Sequence, residues 1–155
     1  MISTFLDLSK AFDPIDHRIL ISKLDHYGIN GIILKWFYSY LSNRYQFVSI
    51  NSVNTDVKAV KTGVPQGAGL SPTLFNIYIN DMFNVSELLY SNQFADDTTV
   101  FLYDSNLPNL SSTFNDELCK LEDWLNYNKL SLNISKTKFT MITHNNTFIN
   151  VKFEN

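Results

Sequence analysis

The chain has 155 residues, 45% of them hydrophobic and 14% aromatic, enough to bury one substantial core and too short to favour two, so one domain over residues 1–155 is the expectation. A net charge of −3 lacks the basic footprint of a self-sufficient nucleic-acid binder. One cysteine, Cys119, excludes an internal disulfide and suits a reducing compartment. No apolar run reaches the length of a membrane span, so a chain soluble inside the cell, in cytoplasm or nucleus, is expected.

In chain order, Thr4 to Leu8 reads as a strand. Asp13 and Pro14 read as the cap and start of a helix with Leu20, Leu24 and Tyr27 on one face and Gly28 past its end. A second helix places Ile33, Trp36, Phe37, Tyr40 and Leu41 at helical spacing, which predicts a wide buried stripe. Tyr45 to Ile50 and Val57 to Lys61 alternate around a polar turn, as in a hairpin. After a Gly-rich loop, Ser71 and Pro72 predict a capped helix start, with Leu74, Phe75, Tyr78 and Met82 facing inward.

Gln93 to Ala95 and Thr98 to Tyr103 read as strands flanking Asp96 and Asp97. Leu110, Phe114, Leu118, Leu121 and Leu125 give a further amphipathic helix, with Cys119 among them read as a small core residue. Ser131 to Ile134 and Lys138 to Thr143 read as a closing strand pair. This order predicts an α+β architecture: an antiparallel sheet covered by helices on one face, the other face open.

Charge is unevenly distributed. No Lys or Arg occurs between Thr62 and Cys119, a stretch holding Asp81, Glu87, Asp96, Asp97, Asp104, Asp116 and Glu117. Such a region repels phosphates unless it holds a cation; for the scattered acids a solvated face is the plainer reading. Asp96 and Asp97 sit at a hairpin turn, where paired acids are usually only solvated. Asp7 differs, because it ends an apolar strand and is followed by Leu8 rather than by turn residues, and a carboxylate there needs a partner. Two metal ions about 4 Å apart need carboxylates from separate chain segments, which Asp7 and Asp96 supply. Hard oxygen donors without a His or Cys cluster point to Mg²⁺, with Mn²⁺ second. Gly63 to Gly69 contains three glycines and can bring backbone close to a ligand; alone it reads equally as a turn before the helix.

Together, three segments resemble the reverse transcriptase family. Phe5-Leu6-Asp7-Leu8-Ser9-Lys10-Ala11-Phe12-Asp13 is similar to its motif A, Gly63 to Phe75 to motif B, and Phe94-Ala95-Asp96-Asp97 to motif C, in matching order and spacing. The run into Asp16-His17 and the Phe-Ala-Asp-Asp form are most similar to non-LTR (LINE-like) retrotransposon enzymes. The resemblance covers nearly the whole chain and implies a polymerase palm with a ferredoxin/RRM-like core. It implies an RNA-directed DNA polymerase transferring nucleotides from dNTPs to a DNA primer 3′-hydroxyl on an RNA (or DNA) template with two Mg²⁺ ions.

The resemblance implies Asp7 and Asp96 as ligands of both metals and Asp97 as a weaker ligand or electrostatic partner. It also implies that Lys10 and Ala11 amides approach the triphosphate and that Gln66 and Gly67 flank nucleotide and template. Phe12 falls where the family places an aromatic beneath the sugar to exclude a 2′-hydroxyl; ordinary core packing is the alternative. The segment Leu130 to Lys138 resembles motif D, whose lysine is proposed to protonate pyrophosphate; Lys136 is the choice, with Lys138 close behind. Motif B departs from the family in Ala68-Gly69-Leu70-Ser71. Fingers and thumb are expected to be missing from this stretch and supplied by a larger protein; the alternative is a truncated retroelement remnant that folds and binds metal or nucleic acid without polymerising alone.

Overall fold

The computed structural model describes residues 1–142, so the expected strand end at Thr143 lies outside the described residues. The chain forms two compact units: Met1–Ala11 together with the chain from Ile79 on, and Phe12–Tyr78.

The first unit is built on a four-stranded antiparallel sheet. β1 (Ile2–Asp7), β6 (Tyr90–Phe94), β7 (Asp97–Leu102) and β8 (Lys138–Met141) lie in the order β6-β7-β1-β8. Alternation sorts the side chains, since neighbours along a strand point to opposite faces. Ile2, Thr4 and Leu6 of β1 and Thr98, Val100 and Leu102 of β7 are buried, whereas Phe5 between them is exposed. The sheet therefore has a covered face and an open one, as the sequence pattern requires. The long helix α4 (Leu107–Tyr127) contributes Leu110, Phe114, Leu121 and Leu125 to the core, its apolar positions recurring at the helical period. Cys119 does not join them; its thiol is exposed, because the buried stripe of α4 runs through Leu121 and Leu125 and leaves position 119 off it. Ser131 to Ile134 is also not a strand paired with β8. Leu132 makes a single bridge to Leu8, the chain then turns through Asn133 to Thr137, and β8 pairs with β1 instead.

The second unit holds α1 (His17–His26), α2 (Gly31–Leu41), α3 (Ser71–Ile79) and two small ribbons, β2 (Arg44–Gln46) with β5 (Lys58–Val60) and β3 (Ser49–Ile50) with β4 (Val53–Asn54). The predicted hairpin is thus present but broken in two, its tip turning through Asn51 and Ser52, both with positive φ. α1 starts later than Asp13-Pro14 suggests. Asp16 is its cap, its carboxylate accepting from the amides of Arg18 at 2.8 Å and Ile19 at 3.3 Å, while the Asp13 carboxylate accepts from Gln66 Nε2 at 2.9 Å. Leu20 and Leu24 are buried and Gly28 closes the helix with φ 87, as expected.

α2 departs from expectation more sharply. Only Leu41 is buried; Ile33 and Trp36 are exposed and Phe37 and Tyr40 half-buried. In α3 the predicted inward residues Leu74, Phe75 and Tyr78 are fully enclosed, and Met82 is buried in the following 3-10 turn, Met82–Val85. The Ser71 hydroxyl donates to the Pro65 carbonyl rather than capping amides of α3, so it ties the Gly-rich loop to the helix start.

That loop is also fixed at Gly63. Its amide donates to the Ile15 carbonyl at 2.8 Å, its carbonyl accepts from His17 Nε2 at 2.8 Å, and Val64 N donates to Phe12 O at 3.1 Å. Gly63 has φ 84, and a Cβ there would lie 2.8 Å from Asp13 O and 3.0 Å from Phe12 O. Neither backbone atom can swing away. Gly63→Ala is expected to lose at least the roughly 1–3 kcal/mol of a strained non-Gly conformation, read as a lower urea midpoint at unchanged slope. An unchanged midpoint would show that the loop is not held as described.

Candidate active site

The carboxylate site is assembled by strand register. Asp7 ends β1 and Asp97 begins β7, and the two are direct antiparallel partners. Residues directly opposite share a sheet face, with Cβ atoms typically about 4.5–5.5 Å apart. Because Leu6 and Thr98 point into the core, Asp7 and Asp97 belong to the open face; Asp7 is half-buried and Asp97 exposed. Phe94 pairs with Asp97, so only Ala95 and Asp96 form the β6–β7 connection. Ala95 takes φ 53, a conformation two-residue hairpins usually give to Gly or Asn. A residue with a Cβ held there is a strained position of the kind found at functional turns. Asp96 sits at the tip of that hairpin, beside the Asp7–Asp97 pair.

A third segment is pinned to the same place. Asn133 N donates to the Asp7 carbonyl at 2.8 Å, Thr137 Oγ1 donates to Asn133 O at 3.0 Å, and Asp7 N reaches Thr137 Oγ1 at 3.5 Å. Lys136 lies in this turn, its amide bonded to Asn133 O at 3.0 Å, so its backbone is held next to the strand that carries Asp7. Lys138 is opposite Phe5 on the sheet. Asn133 and Thr137 were not singled out from sequence, where a polar turn gives no sign of what it will pin.

Among the described residues, no group of three or more His, Cys, Asp or Glu side chains is gathered around a common point. What the site offers is a cross-strand pair of acidic residues, Asp7 and Asp97, with Asp96 one residue before Asp97 in the turn, all hard oxygen donors. That donor set fits a divalent cation such as Mg²⁺ or Mn²⁺ and not Zn²⁺, which prefers His and Cys. Lys10, also in the first unit, has φ 49 and an exposed side chain; Ala11 is buried.

The remaining sequence-predicted residues belong to the second unit. Phe12 lies against Phe75, ring centroids 4.7 Å apart and tilted by 36°. Gln66 is exposed and held by Asp13, a residue sequence reasoning did not select, and Gly67 takes φ 80. Gln66 and Asp13 line a polar groove of ≈ 770 Å³ together with Arg44, Tyr45 and Lys61.

Comparison with known proteins gives the family and the fold. The family model described as reverse transcriptase (RNA-dependent DNA polymerase) matches residues 2–153. The RNA-directed DNA polymerase from mobile element jockey of Drosophila melanogaster is 27% identical over 143 residues, 87% of this chain and 15% of the relative. The probable RNA-directed DNA polymerase from transposon BS of the same organism is 30% identical over 150 residues, 87% of this chain and 16% of the relative. The telomerase of Candida albicans, solved with a fragment of telomeric RNA, superposes with a TM-score of 0.68 at 16% identity, covering 97% of this chain and 29% of that one. The fold is that of a polymerase palm, an α+β arrangement of antiparallel sheet and helices. The chain belongs to the reverse transcriptase family, with mobile-element polymerases of the non-LTR type as its relatives. It spans about a sixth of the length of those two relatives.

Proposed function

We propose that this chain is the catalytic palm of an RNA-directed DNA polymerase, extending a DNA primer with deoxynucleotides on an RNA template. The observation that supports it most is the register that sets Asp7 opposite Asp97 on the open sheet face, beside the strained Ala95–Asp96 turn. Asp7, Asp96 and Asp97 would hold Mg²⁺, two ions by the family's pattern, or Mn²⁺; bound there, the cations would supply charge neutralisation for an attacking hydroxyl and a leaving pyrophosphate.

The protein's own part is positioning. The backbone amides of Lys10 and Ala11 would receive the triphosphate, and Gln66, braced by Asp13, would present its amide to nucleotide and template with Gly67 allowing close approach. Phe12 would set the floor under the sugar. The primer 3′-oxygen forms its bond to the α-phosphorus as its proton departs, and the bond to the β-phosphate oxygen breaks. Lys136, carried by the turn pinned to Asp7, would give the departing pyrophosphate its proton, with Lys138 next in line.

Holding duplex requires cations that this stretch does not provide in surplus, with 12 Lys and Arg against 15 acids. The isolated chain is therefore expected to bind Mn²⁺ without multi-nucleotide extension, and to polymerise when exchanged for the corresponding segment of the jockey polymerase. Primer extension on an RNA template is the measurement. A folded chimaera without activity, or one unaffected by Asp96→Asn, is the result that overturns the proposal.

A further inference from the structure

The Gly-rich loop that carries Gln66 and Gly67 is fastened at one end by a side chain to which nothing above gives a part in the reaction. His17, the first residue of α1, meets the Gly63 carbonyl with Nε2 at 2.8 Å. A carbonyl oxygen only accepts, so Nε2 carries the hydrogen and donates it. Gly63 is buried. A buried carbonyl deprived of its donor keeps the full cost of its lost hydration, so this bond matters more than its single length suggests.

The backbone around that bond is laddered. Gly63 N donates to Ile15 O at 2.8 Å, Val64 N donates to Phe12 O at 3.1 Å, and Asp16 bridges Thr62. Phe12 is thus tied to the start of the loop, and φ 84 at Gly63 fits the close approach. Beyond the ladder, Gln66 Nε2 donates to Asp13 Oδ1 at 2.9 Å, but both residues are exposed and water competes for both partners. The place of Gln66 relative to Phe12 therefore rests on the ladder, and His17 is the side chain that secures it.

We propose that His17 is a positioning residue for nucleotide binding: by holding the Gly63 carbonyl it fixes where Gln66 and Gly67 stand relative to Phe12 before a nucleotide arrives. The proposal rests on the reading of this chain as a polymerase palm and adds to it a residue that touches no substrate. A loop that holds its binding geometry only part of the time lowers apparent affinity by that fraction, whereas a nucleotide once bound reacts as before. Loss of the His17 bond should accordingly appear in KM and not in kcat.

Two substitutions separate the donor from the bulk. His17→Leu removes the donor yet is the better helix former, so a defect cannot be laid to α1 itself, and its circular dichroism should stay native. His17→Gln carries a donor nitrogen the same number of bonds from Cα and should restore the contact. In the isolated chain, without metal or nucleotide, amide exchange at Gly63 and Val64 should accelerate about tenfold in His17→Leu, the factor expected of a buried carbonyl left without its donor. His17→Gln should exchange at close to the native rate. In the jockey chimaera, KM for deoxynucleotides should rise by about the same factor in His17→Leu at nearly unchanged kcat, with His17→Gln again close to native. Native exchange rates in His17→Leu overturn the proposal whether or not the chimaera polymerises. Faster exchange with an unchanged KM, or with a fall in kcat alone, overturns the positioning role and leaves the palm reading standing. A chimaera that is inactive with His17 in place overturns the palm reading and this proposal with it.

Discussion

Asp7→Asn is expected to make the metal-free protein slightly more stable and to abolish the stabilisation expected of the native chain on adding Mg²⁺ or Mn²⁺. Asp7 and Asp97 are directly opposed on neighbouring strands. Like charges in that arrangement are destabilising, by about 0.2–1 kcal/mol where the pair faces water. Removing one charge relieves the repulsion, which for a chain of 155 residues amounts to about 1–4 °C in Tm. A cation held by these carboxylates would offset their repulsion, and at one hundred times its Kd it would add about 2.7 kcal/mol to the folded state. Thermal melts of native protein, Asp7→Asn and Asp97→Asn, each with EDTA and with Mn²⁺, separate the two effects. In the jockey chimaera the same Asp7→Asn change should take primer extension below detection. A Mn²⁺-induced rise in Tm that survives both substitutions would place the cation elsewhere and remove the physical basis of the active-site reading.

What the sequence reveals and what it hides follow the range of the interactions involved. α1, α3 and α4 are readable because their apolar period is local and their partners lie in this stretch; Leu20, Leu24, Phe75 and Leu110 are buried as the pattern requires. α2 has the same period, yet Ile33 and Trp36 stay exposed. Periodicity shows that a helix has an apolar face, not that these residues cover it. The start of α1 departs from the sequence expectation because Asp-Pro is a good helix opening in isolation, whereas Asp13 is engaged by Gln66, far along the chain, and Asp16 caps instead. The pairing of β8 with β1 instead of with its sequence neighbours is likewise a non-local choice. The candidate site lies at the far end of this scale. The sequence reading pairs Asp7 with Asp96, whereas no local pattern sets Asp7 against Asp97, which the register of β1 on β7 makes direct partners.

The second large effect should come from Phe75, which is fully enclosed and carries Phe12 against it at 4.7 Å. Phe75→Ala should cost about 3–5 kcal/mol, the lost transfer of a buried ring plus the cavity left behind. That is a large part of the roughly 5–15 kcal/mol that holds a typical domain together, so the variant should melt far below the native chain or fail to fold. Phe75→Leu, which keeps most of the volume and loses the ring, should cost less and leave the fold intact. Phe12 is only half-buried, and its own removal should be cheaper. The two rings should show a coupling of about 0.5–1.5 kcal/mol in a double-mutant cycle with Phe12→Val. The cycle bears on function because Phe12 is proposed to lie beneath the sugar and Phe75 is what it rests on. In the chimaera, Phe12→Val should admit ribonucleotides, while Phe75→Leu, which touches no substrate, should produce a smaller shift in the same direction by loosening the ring above it. Discrimination unchanged by Phe12→Val, with the stability coupling still present, would leave Phe12 a packing residue and assign sugar selection to another side chain.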